Sequence, residues 1–190
     1  MAKFIKSADC VNAIALDDQV VEFCFVGRSN VGKSTLINAL ANANIARTSK
    51  QPGRTQLINV FDFGDYRIVD LPGYGYAQVS KSKKYEINQM LIDYISNRSN
   101  LFCVFQICDI QHITEMDIDV FKNVSKRFVN VYIVLNKVDK VNNSYFNNNK
   151  HKIAKMFGCK EQNLIPVSAF KKLNISYIKR LMNILTKKLK

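Results

Sequence analysis

Apolar and polar positions along the chain switch repeatedly between two periods. Runs rich in β-branched and aromatic residues at 20–26, 57–63, 66–69, 101–108, 131–135 and 164–165 read as strands, and the 101–108 run is apolar enough for a buried central one. Gly64-Asp65 between the second and third suits a type II′ hairpin turn, so one antiparallel pair interrupts a parallel pattern. Between the other runs the period lengthens. Leu36, Ile37 and Leu40 recur at helical spacing, as do Val120, Phe121, Val124 and Phe128 behind a Thr114/Asp117 capping box. A further helix is expected around 146–157. The last carries the stripe Ile178, Leu181, Met182, Leu185 and Leu189. This alternation predicts an α/β fold in three layers: a mostly parallel six-stranded sheet with one antiparallel edge strand and helices on both faces.

Length and composition narrow the organisation. With 190 residues, 47% hydrophobic and 23% charged, the chain suits one domain over 1–190, with 1–19 as an N-terminal extension and 20–190 as the core. No apolar run approaches the roughly 18 residues that cross a bilayer, and the first residues lack the apolar segment of an export signal, so no membrane role is expected. Five cysteines without paired spacing, three of them in apolar runs, fit the reducing cytoplasm. A net charge of +13 favours polyanionic partners, with a merely solvated lysine-rich surface as the plain alternative.

One strand-to-helix junction carries recognisable chemistry. Gly27-Arg28-Ser29-Asn30-Val31-Gly32-Lys33-Ser34 has the spacing GxxxxGK[ST], and Thr35 follows it into the helix. Gly27 and Gly32 let the backbone curl so that amide N–H groups and a helix N-terminus surround phosphates. Lys33 is suited to pair with the β and γ phosphates and Ser34 to ligate Mg²⁺. Asp70-Leu71-Pro72-Gly73 follows the 66–69 strand. Its carboxylate can orient Mg²⁺ through water and its Gly73 N–H can meet the γ phosphate, although such a tetrapeptide alone is an ordinary turn. Asn136-Lys137-Val138-Asp139 ends another strand. There the Asp139 carboxylate can accept from both the N1–H and the exocyclic amine of guanine, a donor pair that adenine lacks. Asn136 would contact the base and brace the loop, and Lys137 would lay its stem along the ring. Val167-Ser168-Ala169 can offer a backbone N–H to guanine O6.

In this order the motifs resemble the translation-factor-like class of P-loop GTPases (TrmE-Era-EngA-EngB). More narrowly, GRSNVGKSTLINAL at 27–40, KQPGRTQLINVF at 50–61 and DLPGYGYA at 70–77 resemble the EngB (YihA/YsxC) family of ribosome-biogenesis GTPases, a likeness spanning nearly the whole chain. The resemblance implies a G domain with Mg²⁺ and GTP or GDP as ligands, and a nucleotide-dependent switch in assembly of the large ribosomal subunit. The partners it implies are the large-subunit precursor and its rRNA; the processes are ribosome biogenesis, cell division and septation. It makes Gly53-Arg54-Thr55-Gln56-Leu57 a nucleotide-contacting segment, with Thr55 reaching Mg²⁺ and the γ phosphate. In related GTPases an asparagine at the place of Asn30 helps hold K⁺ beside the phosphates; a simple turn residue is the other reading of Asn30. Two positions depart from the family pattern: Asn136 stands for threonine, and Gln111, in Asp109-Ile110-Gln111-His112, for arginine. His112 reads as a loop or core histidine.

Tyr74 follows Gly73 where Ras-type enzymes keep a water-orienting glutamine, so slow hydrolysis of GTP to GDP and phosphate is expected, resting on Lys33, Thr55, Gly73 and bound cations. The next residues to Lys84 mix tyrosines with base and suit RNA contact, or simply loop packing. A monomeric cytoplasmic GTPase switch is the reading these features favour. The rival is a GTP-gated RNA- or protein-binding scaffold whose hydrolysis is incidental.

Overall fold

The structure is a computed structural model and describes residues 1–14, 19–48, 57–75, 80–128 and 130–188. Among them the strands are β1 (Lys3–Ala8), β2 (Val21–Gly27), β3 (Ile58–Asp62), β4 (Tyr66–Asp70), β5 (Leu101–Asp109), β6 (Val131–Asn136) and β7 (Leu164–Pro166). The helices are α1 (Lys33–Ala41), α2 (Lys81–Asn97), α3 (Glu115–Ser125), α4 (Tyr145–Phe157) and α5 (Ile175–Lys187). One sheet holds all the strands in the order β1-β3-β4-β2-β5-β6-β7. β4, β2, β5, β6 and β7 pair in parallel, and β3 runs antiparallel to both of its neighbours.

The period-2 pattern divides the core into two layers. Phe23 and Phe25 on β2 and Phe105 on β5 pack with Leu36 and Leu40 of α1 and Ile178 and Met182 of α5. Their neighbours Cys24, Val26 and Val104 face the other way, against Tyr94 of α2, Phe121 of α3 and Ile153 and Phe157 of α4. The α/β class, the helices on both faces and the central β5 therefore stand as expected. Cys24, Cys103 and Cys108 are buried free thiols. No helix among the described residues is long and apolar enough to cross a membrane.

The expectation of six strands is corrected to seven. Residues 3–8, read as part of an extension, pair antiparallel with β3 from Lys3↔Asp62 to Ala8↔Ile58, across an irregularity between Phe4 and Lys6. Only Ala8 of that strand is buried, so its sequence lacks a clean alternation. The antiparallel β3 is consequently an inner strand, and β1 with its exposed Lys3 forms the edge. Lys81, Lys83 and Lys84, the basic end of the tyrosine-rich segment, lie in the first turn of the 17-residue α2. Its far end is pinned to the sheet: buried Glu22 accepts from the Tyr94 hydroxyl at 2.7 Å and from the Arg98 guanidinium at 2.8 and 2.6 Å.

Candidate nucleotide-binding site

Parallel strands end on one edge of the sheet, so the loops after β2, β4, β6 and β7 converge there. The loop after β2 is the GxxxxGK[ST] segment. Gly32 caps α1 with φ 96°, a conformation that favours glycine, and an added Cβ would collide with the Asn136 amide. Gly27 answers a different demand from the expected curl: its Cβ would strike the carbonyl of Ile107 on β5. Asn30 is exposed with φ 62°, a left-handed turn position that asparagine tolerates. Val31 is buried, and Ser34 and Thr35 are half-buried in the first turn of α1.

At the phosphate end Lys33 and Asp70 are both buried, and the ammonium lies 3.8 Å from Asp70 Oδ1. That is an ion pair too long for a hydrogen bond. Lys33 is also 3.5 Å from the Gly27 carbonyl. Asp70 Oδ1 has no hydrogen-bond partner among the described residues. Burial raises the Asp70 carboxyl to about 6, with Lys33 pulling the other way. Leu71, Pro72 and Gly73 are buried, Leu71 N–H donating to the Phe25 carbonyl at 3.1 Å. Ser34 and Asp70 both line a cleft of about 710 Å³ with Arg47, Thr48, Leu57 and Asn59. Hydroxyl and carboxylate oxygens, one of them unpartnered, are the donor set of a hard divalent cation.

The base end is hydrogen-bonded throughout. Asn136 is buried, donating from Nδ2 to the Val31 carbonyl at 2.8 Å and accepting at Oδ1 from Ala169 N–H at 3.0 Å. Both ends of its amide thus brace the loops. Lys137, at φ 68°, extends its ammonium to the Asn30 carbonyl at 2.8 Å and to Asp109 Oδ2 at 2.7 Å. Asp139 Oδ1 accepts from the Ser168 hydroxyl at 2.5 Å, and that hydroxyl also accepts from Lys171 N–H. Val138 N–H donates to the Val167 carbonyl at 3.1 Å, joining the two loops.

Of the expected site residues, Gly27 to Thr35, Leu57, Asp70 to Gly73, Asn136 to Asp139 and Val167 to Ala169 gather at this edge, whereas Gly53, Arg54, Thr55 and Gln56 lie outside the described residues. So do residues 76–79 of the tyrosine-rich segment and Leu189 of the last stripe. The Arg28 side chain reaches Asp117 of α3 at 3.0 Å. His112 is exposed, and its carbonyl accepts from Arg28. Sequence reasoning named Asp117 only as a helix cap and Asp109 only as part of a family segment, and it gave Gln106 no role. The signals were present: a glutamine inside an apolar strand run, and acids where strand and cap meet.

Fold and site together define a P-loop nucleotide-binding domain of the GTPase class. Residues 22–137 match the sequence-family model described as "50S ribosome-binding GTPase". "Probable GTP-binding protein EngB" of Malacoplasma penetrans is 53% identical over 182 residues, covering 96% of this chain and 97% of its own length. Its namesake in Mycoplasmoides gallisepticum is 47% identical over 180 residues, covering 93% and 94%. The crystal structure of a probable GTP-binding protein engB superposes with a TM-score of 0.75 at 24% identity, over 88% of this chain and all of that one. Era, solved with MgGDPNP and a 16S ribosomal RNA segment, shares the fold with a TM-score of 0.68 at 22% identity, over 87% and 56%. The chain belongs to the EngB family of GTP-binding proteins.

Proposed function

We propose that this GTPase hydrolyses GTP slowly on its own and serves as a nucleotide-dependent switch in assembly of the large ribosomal subunit, acting as a cytoplasmic monomer. The observation that carries it is Tyr74. The residue after Asp-Leu-Pro-Gly is buried, with its hydroxyl on Asp117 at 3.0 Å. Burial together with Asp117 raises its phenol well above the ordinary value, so it offers neither an amide nor a phenolate to a water molecule. Hydrolysis then depends on positioning by Lys33, Thr55 and the Gly73 N–H, and on what a partner adds.

Ser34, Thr55 and, through water, Asp70 would hold Mg²⁺, which offsets phosphate charge when bound. Asp139 would read the guanine edge through the carboxylate oxygen that Ser168 leaves open, with a backbone N–H of the 167–169 loop at O6. The family description points to the 50S ribosome as partner, and the +13 charge suits its polyanionic RNA. For K⁺ the group would be Asn30, whose left-handed backbone already gives it a turn role. A hydrolysis rate equal in KCl and NaCl at fixed ionic strength would leave it that role alone.

Cosedimentation with large-subunit particles, with a non-hydrolysable GTP analogue, GDP or no nucleotide at several salt concentrations, tests the switch, with single-turnover hydrolysis measured alongside. Binding strong with the analogue and weak with GDP, and hydrolysis stimulated by the particles, is the expected result. Equal, salt-labile binding in all three states would reduce the charge to nonspecific attraction. State-dependent binding without stimulation would favour the scaffold.

A further inference from the structure

Asp117, in the first turn of α3, is fully buried and collects donors from three parts of the chain. Arg28 Nε of the P-loop lies 3.0 and 3.1 Å from its two oxygens. The Tyr74 hydroxyl donates to Oδ1 at 3.0 Å, and Thr114 donates to Oδ2 from both its backbone N–H and its hydroxyl at 2.9 Å. Gln106 of β5 completes the set, donating to the Tyr74 oxygen at 3.0 Å and to the Asp117 carbonyl at 2.6 Å. A helix cap needs only Thr114. The remaining bonds attach α3 to the P-loop, to β5 and to the residue that follows Gly73.

That residue is held from the other side as well. Ser29 N–H donates to the Tyr74 carbonyl at 3.2 Å, and residues 28 and 74 form an isolated parallel bridge. A Cβ built on Gly73 would stand only 3.1 Å from Ser29 N. The 73–74 peptide is therefore clamped between the P-loop and α3.

We propose that Asp117, acting through Tyr74 and Arg28, is a positioning residue that seats Gly73 against the P-loop before GTP arrives. This rests on the reading that Gly73 N–H meets the γ phosphate. The network is dense and buried, with Gln106 Oε1 lacking a hydrogen-bond partner among the described residues, and losing a further member leaves more groups buried without partners. Fixing a binding group in advance removes part of the ordering cost of binding. GDP has no γ phosphate and draws nothing from this seat, so the network biases the protein toward GTP and leaves GDP affinity alone. If Asp117 served stability only, its loss would weaken both nucleotides alike.

The experiment measures GDP and GTP-analogue affinities with Mg²⁺ for the full chain and for Tyr74→Phe, Asp117→Asn, the double variant and Gly73→Ala. Tyr74→Phe keeps the ring and removes one hydroxyl. It should weaken the GTP analogue about fivefold and change GDP less than about twofold. Asp117→Asn should weaken the analogue about tenfold, and the double variant no more than that, since both act on one network. An unchanged GTP-to-GDP ratio in Tyr74→Phe overturns the proposal, even where Asp117→Asn does not fold. Gly73→Ala keeps the N–H but sets a Cβ 3.1 Å from Ser29 N, which pushes the 73–74 peptide off its seat and separates the two layers of the argument. If that displacement leaves the ratio unchanged, the position of this peptide does not govern the γ phosphate and that reading falls; if it lowers the ratio while Tyr74→Phe does not, the clamp alone falls.

Discussion

The two ends of the nucleotide site are built on opposite principles. At the base end Asn136, Lys137, Asp139 and Ser168 each spend their polar atoms on neighbouring loops, so the frame is complete by itself. At the phosphate end Lys33 and Asp70 are buried 3.8 Å apart, and Asp70 Oδ1 and Ser29 Oγ lack hydrogen-bond partners among the described residues. A buried polar group without a partner costs roughly 1–3 kcal/mol. The base end is thus held in shape before anything binds, whereas the phosphate end keeps buried polar atoms without partners among the described residues. Binding energy that falls on incomplete groups is what a switch can use, because it differs between nucleotide states.

Removing charge from the incomplete end should have the largest effect. Lys33→Ala deletes a buried ammonium meant for phosphate and strands Asp70, so GDP and GTP-analogue affinity should fall by about 3–5 kcal/mol, or roughly two to four powers of ten. Titration with fluorescent guanine nucleotides measures it. A loss below about tenfold would show that Lys33 faces no phosphate and would dissolve the contrast. Asn136→Ala strikes the complete end instead. It leaves the Val31 carbonyl and the Ala169 N–H buried without partners, and unfolding in urea should report a loss of about 2–4 kcal/mol without any nucleotide present. A protein as stable as the parent would mean the base end is not self-supporting.

The same contrast governs what could be read from the chain. The places of the phosphate loop, the Asp-Leu-Pro-Gly turn and the Asn136–Asp139 segment at strand ends were legible because each is a short segment marked by its own residues. The central strand and the Thr114/Asp117 cap were legible for the same reason. Legibility failed where a role depends on a distant partner. β1 has a single buried residue and exists because β3 offers it an edge. α2 buries few side chains, Ile87, Tyr94 and Ile95 among them, and its register is set by Glu22, about 70 residues upstream in sequence. Arg28 belongs to the phosphate loop by its place in the motif, and its guanidinium pairs with Asp117, 89 positions away. Periodicity carries no record of such long-range polar pairs.

The smallest and most discriminating effect concerns Asp70, where function and stability should pull apart. Its carboxyl is raised from 3.8 to about 6 by burial, so the native state holds a proton that the unfolded chain has already released. Between about pH 4 and pH 6 the folded protein binds more protons than the unfolded one, and stability must therefore fall as pH rises through that window. Above it the full cost of an ionised buried carboxylate is present, on the order of 2–3 kcal/mol for a rise of about two units. Asp70→Asn has nothing to titrate. Without nucleotide or divalent cation, its stability relative to the parent should grow from pH 4 to pH 7 by that amount, measured by urea unfolding at each pH. With Mg²⁺ and a GTP analogue the order should invert: the parent gains stability from an ionised Asp70 that now has a cation to face, and the variant gains less. A difference curve flat with pH would place Asp70 among satisfied groups and erase the distinction between the two ends of the site. A slope that survives Mg²⁺ and nucleotide unchanged would keep the buried carboxylate but deny that a cation completes it.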